Sequence, residues 1–212
     1  MGSTVRLAYG AAGRASARVL TVLLLLAAVG MLSLPSTAHA VVGKKHARAY
    51  RVVVSSMLKA KNIDVQSYNA LDDAVVDTAQ NIIEIYQGDP VDHDALLNEE
   101  AHAAELLADA NGLIAEPEAL QRNADYLWGL CKNWFSSRAD RITLKQGLHN
   151  IDAAAEQVIT AYGEMGSACD ALATDPPDVG KAREHNANAI AAVNLANSRF
   201  TKAFKQLHSL QR

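Results

Sequence analysis

Aromatic residues make up 5% of this 212-residue chain, and β-branched residues come only in short, rare runs. Too little is left for the alternating strands of a sandwich or barrel. Two cysteines are too few for a disulfide scaffold. No asparagine opens an N-x-Ser/Thr sequon, so N-linked glycosylation is not expected. Catalytic signatures are missing as well. The chain holds no G-x-S-x-G, no H-E-x-x-H, no phosphate-binding glycine loop and no dinucleotide fingerprint. A non-enzymatic protein is expected.

The N-terminus has a clear pattern. Arg6, Arg14 and Arg18 precede an apolar run over 19–34, which Pro35 ends, and Ala38-His39-Ala40 follows. A basic region, a short apolar region and an A-x-A site form a secretory signal, with cleavage expected after Ala40. The run is short of the roughly 20 residues that cross a bilayer, so a retained anchor is the lesser alternative. The mature chain, 41–212, is long enough for one domain with its own core. It has no later segment that could cross a membrane, and its expected location is secreted or periplasmic.

Helical periodicity runs through the mature chain almost without a break. It predicts helices over about 44–61, 65–87 with Asp64 as N-cap, 92–111 closed by Gly112, a fourth with Pro117 in its first turn, and a last from Asp178 to about 210. Seven-residue spacings, as in Leu120, Ala124, Leu127, Cys131, Trp134 and again from Leu148 to Leu172, are the coiled-coil-like seam of helices packed at shallow angles. The fold class expected is all-α, an up-and-down bundle of five to six helices.

The fourth and fifth helices have two candidate boundaries. Ser137 and Asp140 resemble a capping box; Gly147 to Asn150 is the other. Residue 150 lies midway between Cys131 and Cys169, and a turn there would set the two cysteines opposite each other. The later turn and a Cys131–Cys169 disulfide are therefore expected.

Charge is unevenly spread. Lys44, Lys45, Arg48, Arg51, Lys59 and Lys61 fall before the first acid, and Arg199, Lys202, Lys205 and Arg212 after the last. All 23 acidic residues lie between Asp64 and Glu184. If the first and last helices are neighbours, they form a cationic face suited to phospholipid headgroups, acidic glycans or an acidic protein patch. Sequence-specific nucleic-acid reading is not expected of a net-acidic exported chain. Both tryptophans lie in 126–135, where Trp128 and Phe135 flank Lys132 on one helical face. They are the expected apolar contacts of a binding surface.

Other constellations are thinner. Glu99-x-x-His102 has the spacing of one half of a di-iron site, but no second pair exists, and no metal or cofactor is expected. Met57 and His208 could be axial ligands if the bundle carried haem; C-x-x-C-H is absent. The function expected is a binding protein that engages a macromolecule or anionic surface through Lys44, Lys45, Arg48, Arg51, Lys59, Arg199, Lys202, Lys205, Trp128 and Phe135. A core carrier of haem or a small apolar ligand is the alternative.

Overall fold

The computed structural model describes residues 44–211, with side chains from His46 onward. The expected signal segment and its cleavage site lie outside the described residues. Five helical segments form, and no strand appears among the described residues: α1 (Lys44–Tyr86), α2 (His93–Leu113), α3 (Ala115–Cys131), α4 (Arg138–Leu172) and α5 (Val179–Ser209).

The starts of α2, α4 and α5 follow from short polar side chains that satisfy orphan backbone N–H groups. Asp92 accepts from Ala95 N at 3.0 Å, Ser137 from Ala139 N at 3.1 Å, and Asp178 from Lys181 N at 2.9 Å. Ile114, between α2 and α3, has helical dihedrals (φ −59°, ψ −27°) and no side-chain cap. Gly112 therefore does not close a helix, and α2 runs on into α3.

Contacts between helices fix the register. Tyr50 donates its hydroxyl to the Leu207 carbonyl at 3.0 Å, and Asn186 lies beside Asp72, so α5 runs antiparallel to α1. Asn150 donates to Gln206 at 2.9 Å, and His185 meets Glu164 at 2.8 Å, so α4 and α5 are also antiparallel. Asn81 donates to Glu99 at 3.0 Å across the α1–α2 turn. Gln121 approaches the Asp152 carbonyl, and Leu107 packs at Gly166. Those two pairs share one antiparallel register with α4, so α2 and α3 act as a single rod. The result is four rods running up, down, up and down. A core of Leu, Ile, Val, Ala and Phe passes between them from Tyr50 to Leu210.

Three further sequence expectations are corrected by these contacts. First, α1 does not break at 62–64. Asp64 is 1% exposed inside the helix, where Oδ1 accepts from Tyr162 Oη at 2.8 Å. Its side chain satisfies a partner on α4 and caps no N-terminus.

Second, the chain turns at 132–137. Ser137 caps α4, and Arg141 Nη1 donates to the Phe135 carbonyl at 2.9 Å, holding the corner. Gly147 is mid-helix because α5 passes close by: a Cβ there would stand 2.9 Å from Leu207 Cδ2. A glycine can mark a close approach as well as a turn.

Third, that early corner separates the cysteines. Cys131 ends α3 beside the start of α4, whereas Cys169 lies near the far end of α4, roughly 40 Å away along the axis. Bridging needs Cα atoms within roughly 7 Å. Both are free, buried thiols, and burial pushes their pKa values up to about 12 for Cys131 and about 11 for Cys169.

Candidate functional site: the basic end of the bundle

The first and last helices are neighbours, as the Tyr50–Leu207 hydrogen bond requires. The register adds something the linear sequence conceals. It brings residues 44–55, 121–152 and 202–211 to one end of the bundle. Those stretches hold eleven Lys and Arg against three Asp and no Glu. The opposite end, built from 73–104 and 170–185, holds twelve Asp and Glu against Lys181 and Arg183. Charge therefore segregates along the long axis. Lys132, Arg138, Arg141 and Lys145 lie within the acidic middle of the sequence, yet the α3–α4 corner carries them to the basic end.

Arg48, Arg51, Lys202 and Lys205 are exposed at this end, and Lys44 and Lys45 open its first helix. Lys59 and the half-buried Arg199 stand farther along the axis, near mid-bundle. The aromatic segment reaches the same end but not as one helical face. Helix α3 stops at Cys131, and Phe135 turns inward to 1% exposure, edge-on to Tyr50 with ring centroids 5.9 Å apart. Phe135 is thus a core residue and leaves no exposed face with Trp128. Trp134 stacks on His46 at 4.2 Å, which pins the corner to α1.

Trp128 is partly buried and lines a cleft of about 180 Å³ between α3 and α4. The cleft has an apolar floor of Ala124 and Leu148, and a rim carrying Asp125, Lys145, His149 and Asp152. Acidic Asp125 and Asp152 share that rim with Lys145, so it is not built for a ligand of one charge.

The polar groups buried in mid-bundle were not foreseen as a group. Along the inward stripe of α1 lie Lys61, Asp64, Tyr68, Asp72 and Thr78, all buried. Burial pushes the Asp64 carboxyl up to about 6, with the Tyr162 hydroxyl opposing and nearby Glu116 adding to the rise. Burial also raises Asp72 to about 6, countered by Asn186. Lys61 is shifted down, again by burial first. Asp64 Oδ2, Tyr68 Oη, Asp72 Oδ1, Glu116 Oε2 and Asn186 Oδ1 have no hydrogen-bond partner. The signal was present in the sequence: polar residues at 61, 64, 68 and 72 keep the same helical spacing as Tyr50, Val54 and Met57.

Among the described residues, no group of three or more His, Cys, Asp and Glu side chains gathers as a metal site would need. Met57 is buried in α1. The α1–α5 register sets it roughly 10 Å along the axis from the level of His208. No helix among the described residues is long and apolar enough to cross a membrane. Comparison with protein-family models, with curated proteins and with solved structures finds no match to this chain.

Proposed function

We propose that this is an exported, non-enzymatic binding module that engages an anionic partner through the basic end of its bundle. One observation carries the reading: eleven Lys and Arg against three Asp converge there from three separate stretches of sequence. A convergence of that kind raises the local concentration of anions and speeds their encounter. Trp128 and its cleft supply apolar contact beside the cations. Export rests on the signal-like segment 1–40, and a secreted form beginning at Val41 by mass spectrometry is the matching result.

The binding test is retention on an immobilised sulfated polysaccharide, eluted with salt. Arg48→Glu/Arg51→Glu and Lys202→Glu/Lys205→Glu should each elute at markedly lower salt than the parent. Retention of both variants at the parental salt concentration would sink the reading.

A further inference from the structure

We infer that the partner of the basic end is an anionic phospholipid bilayer, met end-on with the bundle axis steep to the membrane. The inference rests on the reading above and narrows it. What points to lipid is the company the cations keep.

Val52 is 61% exposed, Tyr126 63%, Ile142 46% and Leu130 36%. These four side chains come from three different rods. The register nonetheless places them within roughly 13 Å of one another along the axis. Arg48, Arg51, Lys145 and Lys205 occupy the same band. At the acidic end, Tyr86 and Leu97 are the large apolar side chains exposed among the described residues.

A soluble polyanion, whether glycan or nucleic acid, would use the cations and leave these apolar side chains in water. A bilayer interface uses both. Headgroup phosphates meet Lys and Arg, while Val, Leu, Ile and Tyr reach the boundary of the acyl chains. The shape also fits. The 132–137 corner lies at this end beside the start of α1 and the end of α5, so cations from three stretches of sequence can meet one surface together. The far end has a reason to stay away, because an anionic leaflet repels the twelve acids gathered there. Attraction at one pole and repulsion at the other orient the rod.

The test is co-sedimentation of the purified protein with phosphatidylcholine vesicles, with and without phosphatidylglycerol, beside retention on the sulfated polysaccharide. Binding is expected to the mixed vesicles only, with a blue shift of tryptophan emission from Trp128 and Trp134. Arg48→Glu/Arg51→Glu should weaken both kinds of binding, by about fivefold or more per cation on vesicles. Leu130→Ser/Ile142→Ser should weaken vesicle binding while leaving polysaccharide retention unchanged. Both residues are exposed, so neither change empties the core.

Retention on polysaccharide without binding to anionic vesicles would overturn the lipid inference and leave the broader reading standing. Vesicle binding that ignores both double variants would overturn it too, since the basic end would then not be the contact. Failure to bind either material would remove the anionic-partner reading itself.

Discussion

At the residue scale, the arrangement that ties stability to pH is the row of ionisable groups inside α1. Asp64 and Asp72 are buried, and each has a carboxylate oxygen without a partner. Lys61, Glu116 and Tyr162 surround Asp64; Asp73, Tyr68 and Asn186 are near Asp72. Both carboxyls titrate near 6 in the fold, against 3.8 without it. Folding therefore takes up protons between these values. The stabilising contribution is complete below about pH 4 and is lost as pH rises through 6. Ionising each carboxyl costs on the order of 3 kcal/mol at neutral pH. Lys61 is shifted in the opposite sense, downward, by burial, with the nearby Asp64 carboxylate opposing the shift. Urea unfolding should give a higher midpoint at pH 5 than at pH 8, and Asp64→Asn/Asp72→Asn should flatten that difference. An equal slope in parent and variant would place the pH dependence elsewhere, in the surface acids. The cysteines allow a second measurement at this scale. A thiol reagent should label neither cysteine in the native protein and both in guanidinium, with no mass change on reduction.

At the scale of elements, the sequence shows caps more reliably than breaks. Asp92, Ser137 and Asp178 start helices where their polar side chains and following residues say they should. Asp64 looked the same locally, but the tertiary partner Tyr162 claims its carboxylate, and no local pattern shows a partner 98 residues away. Val65→Pro separates the two cases. Proline would be tolerated at the first position of a new helix, but inside a continuous α1 it should cost about 3 kcal/mol. A melting temperature within a degree or so of the parent would restore the break. Ser137→Ala should cost about 1 kcal/mol as a lost cap. Gly147 misled for a related reason. It serves the approach of Leu207, and Gly147→Val should overpack that contact by about 1–3 kcal/mol. The later turn rests on pairing Cys131 with Cys169 about residue 150, and the corner at 132–137 removes the turn and the pairing together. The heptad stripes were readable because packing repeats them every two turns. The charge poles were not, because they depend on which strand of sequence turns back where.

At the scale of the molecule, the formal net charge of −3 describes neither end. Helix α1 alone, 43 residues, is about 65 Å long. At physiological salt the Debye length is about 8 Å, so each pole is screened from the other and meets its surroundings separately. A protein of such small net charge would ordinarily bind one ion exchanger weakly at neutral pH. This one should be retained by both a cation and an anion exchanger in low salt, each capturing a different end. Lys202→Glu/Lys205→Glu should release it from the cation exchanger and hold it longer on the anion exchanger. If the parent passes through the cation exchanger at neutral pH, the four rods do not gather their cations as the register requires. The shared fault would then lie in the direction of α3 into α4, the corner on which the basic end depends.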